Sequence, residues 1–167
     1  MSNFFENIFG SEKAPTTAAE VYAKGVELLN KRKYKQSLTY FTRFIELEPD
    51  SPKGYFNRAL CYRQMGKIEE ALADHDRSIE LAPANASAYY NRAIAYYSVH
   101  RLDEALKDYT KVLELKPRDG GAYYSRALVY FLKKEYENSL NDANTAASLG
   151  YIVDSDFLDK LHKHLSR

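Results

Sequence analysis

A segment of about 34 residues recurs along this chain of 167 residues, and the repetition limits the possible folds more than any other feature. Residues 54–63 read GYFNRALCYR, residues 88–97 read AYYNRAIAYY, and residues 122–131 read AYYSRALVYF. The same shift aligns further residues of one kind, among them Pro49, Pro83 and Pro117, and the small residues Ser37, Ala71, Ala105 and Ser139. A period of this length predicts an array of similar structural units that stack on one another.

Each unit is predicted to be a hairpin of two α-helices. It contains two stretches of about 13 residues with apolar side chains at helical spacing, separated by a few polar or glycine residues. A proline stops the second helix in three units, and Gly150 is expected to stop it in the last unit as a left-handed cap. Because one hairpin cannot bury its apolar faces alone, the units must stack into a solenoid, and the fold class is all-α.

The spacing of these residues resembles the tetratricopeptide repeat (TPR) family. That family has an aromatic residue at repeat position 4, a small residue at position 8, an aromatic residue at position 11, a small residue at position 20 and proline at position 32. The resemblance implies an α-solenoid of four TPR helical hairpins. In this frame the repeats cover residues 18–51, 52–85, 86–119 and 120–151.

Two segments lie outside the repeats. Residues 152–167 are predicted to form a C-terminal capping helix, because Phe157 and Leu161 belong to one apolar stripe behind Ser155, the expected N-cap. This helix would cover the apolar face that the fourth repeat leaves open. Residues 1–17 lack the repeat pattern and are interpreted as an N-terminal tail or a short amphipathic segment.

A charged pair is predicted inside three of the repeats. Arginine occupies position 7, beside the packing face of the first helix, and aspartate occupies position 23 on the second helix. The first repeat has Lys24 and Tyr40 at these positions, so the two residue types occur together or not at all. We therefore expect partly buried structural ion pairs with bidentate geometry. The expected pairs are Arg58 with Asp74, Arg92 with Asp108, and Arg126 with Asp142.

A second face of each first helix is predicted to bind a peptide. Repeat positions 2, 5, 6, 9, 12 and 13 fall within an arc of about 120°, roughly opposite the packing positions 4, 8 and 11. The resemblance implies that this arc lines the concave surface of the solenoid, and its side chains are too apolar to face only water. The predicted peptide-binding groove comprises Tyr22, Val26, Phe56, Asn57, Leu60, Arg63, Tyr90, Asn91, Ile94, Tyr97, Tyr124, Ser125, Leu128 and Phe131.

Asn57 and Asn91, both at position 6, are the predicted anchors for a peptide main chain. An amide side chain both donates and accepts hydrogen bonds, which suits a backbone of any sequence, whereas a solvated surface asparagine is the alternative. The resemblance favours the first interpretation, because TPR proteins commonly hold ligand backbones with asparagine at this position. Some TPR modules also grip a C-terminal carboxylate through five lysine, arginine and asparagine side chains. Here only the central asparagine matches, and Tyr22 and Val26 hold two of the other places, so such a clamp is not expected.

The predicted function is non-enzymatic: an adaptor or co-chaperone-like module that binds a partner protein or peptide with bulky apolar side chains. Self-assembly is the first alternative, because FFENIF at residues 4–9 forms an apolar stripe that could dock on the groove of its own molecule or of another copy. A helical-repeat RNA binder is the second. It is disfavoured because the net charge is +1 and the groove has no stripe of basic residues.

Composition and motifs predict no further chemistry. The net charge gives no reason to expect nucleic acid or a membrane as partner, and no run of about 18 apolar residues predicts a membrane span. A single cysteine, Cys61, indicates a reducing compartment, and the cytoplasm is expected. No nucleophile motif, phosphate loop or metal-ligand spacing is present, so no catalytic residue, cofactor or metal is predicted. His75 holds the position of Phe41 and Tyr109 and is expected to be a packed or hydrogen-bonded core histidine.

Overall fold

The structure, a computed structural model, describes residues 15–166. Within this range it consists of nine α-helices, and none of them is long and apolar enough to cross a membrane. Each repeat contributes two consecutive helices, and the last helix follows the fourth repeat. The helices are α1 Ala18–Asn30, α2 Tyr34–Leu47, α3 Pro52–Gln64, α4 Ile68–Leu81, α5 Ala86–Ser98, α6 Leu102–Leu115, α7 Gly120–Leu132, α8 Tyr136–Ser148 and α9 Ser155–Leu165.

Polar side chains cap the start of several helices. Thr17 and Glu20 form a capping box at α1, and Asp119 accepts a hydrogen bond from the backbone N–H of Ala122 in α7. The predicted cap of α9 is wrong by one residue. Asp154 has the extended backbone of an N-cap and accepts a hydrogen bond from the N–H of Asp156, so Ser155 is already the first helical residue.

The turn between the two helices of each repeat requires a left-handed backbone at one position. Arg32, Gly66, His100 and Lys134 occupy it, with φ between 57° and 74°. Only the glycine adopts this conformation without a steric penalty. Gly150 also has a positive φ, of 85°, and follows the end of α8 as expected for a left-handed cap.

Small residues allow the two helices of a repeat to approach closely. Ser37 and Ser139 are fully buried, and their hydroxyl groups donate hydrogen bonds of 2.8 and 2.7 Å to the carbonyl oxygens of Gly25 and Ala127 on the facing helix. A Cβ atom on Gly25 would lie 2.8 Å from the ring of Phe41. Space at this crossing is therefore too small for a larger residue.

Helix α9 closes the end of the stack. Its residues Phe157 and Leu161 are buried against Ala127 and Ala143 of the fourth repeat, whereas Leu165 at its last turn is largely exposed. The helix thus takes the place that the first helix of a fifth repeat would occupy.

Three arginine–aspartate pairs connect the helices within the repeats. Arg58 donates two hydrogen bonds of 2.7 Å to the carboxylate of Asp74. The pair in the next repeat has the same geometry, and in the last pair the two distances are 2.7 and 2.9 Å. The side chains of Arg92 and Asp108 are only 18% and 4% exposed. All three pairs are therefore bidentate and shielded from water.

Each paired arginine also contacts two tyrosines and the preceding repeat. The guanidinium of Arg92 lies 5.5 and 5.8 Å from the ring centres of Tyr89 and Tyr96, and its Nη1 atom donates a hydrogen bond of 2.6 Å to Asp76. Burial acts to lower the pKa of Arg92, but its hydrogen bonds to Asp108 and Asp76 outweigh this effect and raise it. Arg58 and Arg126 likewise lie between two tyrosines and contact Thr42 and Thr110 of the repeat before them. The arginines thus join successive repeats as well as the helices within one.

Replacing Arg92 by alanine is expected to destabilise the fold. The substitution leaves the buried carboxylate of Asp108 without its partner, which typically costs about 3 kcal/mol or more of unfolding free energy. Urea unfolding followed by circular dichroism at neutral pH measures the change. Lys111→Ala, which removes an exposed pair with Glu114 on α6, is the control and should leave the curve almost unchanged. An unfolding curve of Arg92→Ala that coincides with the wild-type curve would show that this arginine pair does not stabilise the fold.

Candidate functional site

The predicted groove residues share one degree of burial. All fourteen are half-buried, so none is lost inside the stack and none projects fully into solvent. They lie on α1, α3, α5 and α7, and α3 contacts both α1 and α5. We call the surface formed by these fourteen residues the first-helix face.

Hydrogen bonds between repeats already use part of this face. The amide nitrogen of Asn57 donates to the hydroxyl of Tyr22 at 3.0 Å and to the carbonyl of Lys53 at 2.9 Å. Both of its N–H groups are therefore engaged inside the molecule, and only its Oδ1 atom remains for a ligand. Tyr90 of repeat 3 and Ser125 of repeat 4 make the equivalent contact, with 2.9 Å between their hydroxyl oxygens.

Asn91 differs from Asn57 because Phe56 stands in the place of a tyrosine. The amide nitrogen of Asn91 donates to the carbonyl of Ser87 at 2.9 Å, and within residues 15–166 it makes no other hydrogen bond. Phe56 has no hydroxyl group that could accept the second N–H. Asn91 therefore presents one donor and one acceptor to whatever lies on the first-helix face.

A pocket of about 200 Å³ opens beside Asn91. Its lining carries one amide, one ammonium and one carboxylate group beside aliphatic and aromatic side chains. It is smaller than the clefts of roughly 300–1,000 Å³ that hold small-molecule ligands, so a small-molecule site is disfavoured here. The pocket is lined by Ala86, Ser87, Tyr90, Asn91, Val112, Lys116 and Asp119.

Sequence reasoning missed Lys116 and Asp119 as site residues. Both lie between α6 and α7 and not on a helical face, so helical periodicity cannot identify them. A weak signal for this part of the surface is Gly121. The equivalent positions of the two preceding repeats hold the larger residues Lys53 and Ser87. A Cβ atom on Gly121 would lie 3.9 Å from the hydroxyl oxygen of Tyr90, so glycine leaves open the space next to this pocket wall.

Aromatic side chains at position 5 pack on residues at position 24 of the same repeat. Tyr22 lies 5.8 Å from Phe41, Tyr90 lies 5.4 Å from Tyr109, and Phe56 lies 5.8 Å from His75 between ring centres. These contacts fix the aromatic rings of the face in place. Three aromatic rings of the face are therefore held by contacts within their own repeats.

The capping helix covers part of the predicted groove in the fourth repeat. The rings of Tyr124 and Phe131 lie 5.7 and 5.4 Å from the ring of Phe157 in α9, and Leu128 packs against the same cluster. These residues are therefore partly occupied by the chain itself. The uncovered portion of the face centres on repeats 2 and 3.

Two cations on α3, Lys53 and Arg63, have no acidic partner among the residues that the structure describes. Lys53 places its ammonium group 4.7 and 5.2 Å from the ring centres of Tyr22 and Phe44 and makes no ion pair within residues 15–166. The Nε atom of Arg63 is buried without a hydrogen-bond partner. The face thus combines aromatic surface with uncompensated positive charge.

His75 is buried as predicted, but its ring nitrogens make no hydrogen bond to any residue of the described range 15–166. Burial lowers the pKa of His75 to about 3, with smaller contributions from the charges of Arg63 and Arg92. The ring is therefore a neutral platform for Phe56. Within residues 15–166, no group of histidine, cysteine, aspartate or glutamate side chains is arranged to hold a metal ion.

The buried histidine predicts a loss of stability at mildly acidic pH. The unfolded chain binds a proton on His75 near pH 6.5, whereas the folded protein does so only near pH 3. The contribution of neutral His75 to the free energy of unfolding is therefore fully present above pH 6.5 and is lost as the pH falls towards 3. The loss between pH 6.5 and pH 5 is about 2 kcal/mol. Urea unfolding at pH 7 and pH 5 measures it. His75→Phe, which copies the residue type of Phe41, should remove most of the difference, and an equal difference in the variant would contradict this assignment.

A stack of helical hairpins with a partly open face of first helices defines an α-helical repeat protein of the protein-interaction class. Models of the tetratricopeptide repeat match the chain over residues 21–51, 40–73, 60–99 and 86–119, which together span more than half of it. The chain belongs to the tetratricopeptide repeat family.

Curated relatives match part of the chain. A stretch of 58 residues is 38% identical to Hsp70-Hsp90 organizing protein 1 of Glycine max and covers 35% of this chain and 10% of that protein. Another stretch of 50 residues is 46% identical to an uncharacterized protein of Methanocaldococcus jannaschii and covers 30% of this chain and 58% of that protein. The matches therefore span between a tenth and somewhat over half of these two relatives.

Solved structures share the architecture over most of the chain. A crystal structure of MamA superposes with a TM-score of 0.79 at 20% identity, covering 87% of this chain and 84% of that one. The first TPR of Spaghetti (RPAP3), bound to the HSP90 peptide SRMEEVD, superposes with a TM-score of 0.69 at 26% identity, covering 75% of this chain and 99% of that one. YrrB, a TPR protein with an unusual peptide-binding site, superposes with a TM-score of 0.72 at 21% identity, covering 80% of this chain and 69% of that one.

Proposed function

We propose that this protein is an adaptor that binds a peptide segment of another protein on its first-helix face, with Asn91 and the adjacent pocket as the main anchor. The observation that carries the proposal is the amide of Asn91, which lies beside a pocket and has an N–H and a carbonyl oxygen without hydrogen-bond partners among residues 15–166. A peptide main chain offers the complementary acceptor and donor in almost every residue. One side chain of the peptide would enter the pocket.

The rest of the face supports a ligand with bulky apolar side chains. Leu60, Ile94 and Tyr97 are half-buried and lie on α3 and α5, on either side of the step between repeats 2 and 3. Burying such surface against a ligand is favourable by roughly 25 cal/mol per Å² before the costs of association. This apolar contact supplies affinity, and the asparagine supplies orientation.

The similar proteins support a peptide ligand but not a particular one. The first TPR of Spaghetti (RPAP3) is described with an HSP90 peptide that ends in aspartate, and it shares 26% of its residues with this chain. The places where a carboxylate clamp requires basic or amide side chains hold Tyr22, Val26 and Ser87 here. The proposed ligand is therefore not a chaperone tail held by its C-terminal carboxylate.

The self-assembly alternative concerns residues that the structure does not describe. The FFENIF segment lies outside residues 15–166, and nothing within that range favours it over a foreign peptide as occupant of the first-helix face. Light scattering at two protein concentrations separates the alternatives, because self-assembly makes the mass increase with concentration. The proposed compartment remains the cytoplasm, since Cys61 is a buried free thiol.

Substitutions at Asn91 and Phe56 test the proposed anchor. A library of random peptides displayed on phage is selected on the full-length protein, and the strongest peptide is synthesised and titrated by fluorescence anisotropy. Asn91→Ala removes two hydrogen bonds to the peptide backbone and should weaken binding by about tenfold. Phe56→Tyr should weaken it several-fold, because the new hydroxyl would accept the second N–H of Asn91 as Tyr22 does for Asn57.

Two further variants serve as controls. Asn57→Ala should have a smaller effect than Asn91→Ala, since both N–H groups of Asn57 are already used inside the molecule. Asn144→Ala, on the exposed side of α8, should have none. Selection of no peptide, or unchanged affinity in Asn91→Ala, would refute the proposed function.

A further inference from the structure

Arg63 is the exception among the arginines on the first helices of repeats 2 to 4. The other three each donate two hydrogen bonds to an aspartate of their own repeat. Arg63 makes no hydrogen bond and no ion pair within residues 15–166, although its residue is half-buried and its Nε atom is fully enclosed. Part of the guanidinium is therefore removed from water without a partner from the described part of the chain.

The surroundings of Arg63 do not neutralise its charge. Its charge contributes to the lowered pKa of His75 and acts in the same direction on the pKa of Tyr109. His75 is neutral above pH 3, and burial raises the pKa of the Tyr109 hydroxyl, so that side chain is neutral as well. Withdrawing a charge from water among neutral groups is unfavourable unless a counter-charge is supplied.

None of the fourteen residues of the first-helix face is acidic, and the carboxylate of Asp119 in the adjacent pocket accepts a hydrogen bond from the N–H of Ala122 at the start of α7. Helices α3, α5 and α7 contain no aspartate or glutamate, and the aspartates that neutralise their other arginines belong to the second helices. Lys53 on α3 adds a second cation without an ion pair within residues 15–166. The uncovered part of the first-helix face is thus positive as well as aromatic, and its complement is an apolar segment with negative charge.

We propose that Arg63 binds the carboxylate of an aspartate or glutamate side chain in the bound peptide, flanked by bulky apolar residues. The inference rests on the proposed function, because it names the chemistry of the segment that occupies the same face. Arg63 lies on α3, which contacts both α1 and α5. A ligand that crosses the first helices of repeats 1 to 3 would have chain on both sides of Arg63, so the proposed acidic residue is internal and not a chain terminus. A guanidinium offers two parallel N–H groups to such a carboxylate.

A double-mutant cycle tests the contact. A random twelve-residue phage library is selected on the full-length protein, and the strongest peptide is synthesised with both ends blocked, once with its acidic residue and once with the matching amide. The selection should enrich one internal aspartate or glutamate, and the amide peptide should bind wild type about tenfold or more weakly. On Arg63→Gln the two peptides should bind within twofold of each other.

The control separates direct contact from a change in overall charge. Lys107→Gln removes one exposed positive charge from α6 and should keep the tenfold preference for the acidic peptide. Thermal unfolding of Arg63→Gln adds a second readout. Removal of an unpaired charge should not lower the melting temperature, whereas removal of an arginine that stabilises the fold should lower it. A lower melting temperature of Arg63→Gln together with an unchanged preference would overturn the proposal.

The outcomes also separate this inference from the proposed function. Selected peptides whose binding depends on Asn91 but which carry no acidic residue would contradict the carboxylate contact. A preference for the acidic peptide that persists in Arg63→Gln would contradict it as well. Both results would leave the proposed peptide-binding function intact. A preference for acid that appears only in a third copy of the peptide, synthesised with a free C-terminus, would overturn the side-chain contact in favour of a terminal carboxylate. If no peptide is selected, both ideas fail together.

Discussion

The bidentate contact between arginine and aspartate, enclosed by two tyrosine rings, is the interaction on which the rest of the structure depends. Within one repeat it ties the first helix to the second, and through its remaining N–H groups each guanidinium also reaches the repeat before it. The pairs therefore set the position of each first helix relative to two neighbours. The arginine pairs lie on one side of α3, α5 and α7 and fix the positions of these helices relative to one another. The opposite sides of the three helices therefore form one face.

The first repeat shows how this interaction is coupled to the residues around it. Its positions 4 and 11 hold Val21 and Leu28, which are buried, whereas the other repeats hold half-buried tyrosines there. Without an arginine no aromatic ring is needed on either side of it. Lys24 instead pairs with Glu27 one turn along α1. Tyrosine, arginine and aspartate thus behave as one unit that is present or absent as a whole.

The sequence predicted the period, the helical hairpins, and which arginine faces which aspartate, because all of these follow from registers within one repeat. Features that depend on how one repeat meets the next were not predictable in the same way. Asn57 and Asn91 look equivalent in sequence, and only the contact with Tyr22 distinguishes them. Likewise, the left-handed backbone at Arg32, His100 and Lys134 carries no sequence signal, because three of the four residues there are not glycine. The missing hydrogen bonds of His75 depend on the three-dimensional surroundings of both ring nitrogens.

The hydrogen bond from Asn57 to Tyr22 has a consequence for how such arrays change over evolution. A single oxygen atom in the preceding repeat decides whether the second N–H group of an asparagine on this face is already hydrogen-bonded within the molecule. Exchange of tyrosine for phenylalanine at that place exposes an amide, and the reverse exchange hides one, with hardly any change in volume or packing. The repeat whose asparagine keeps an unpaired N–H group can therefore change through a one-atom difference, while the helices stay where they are.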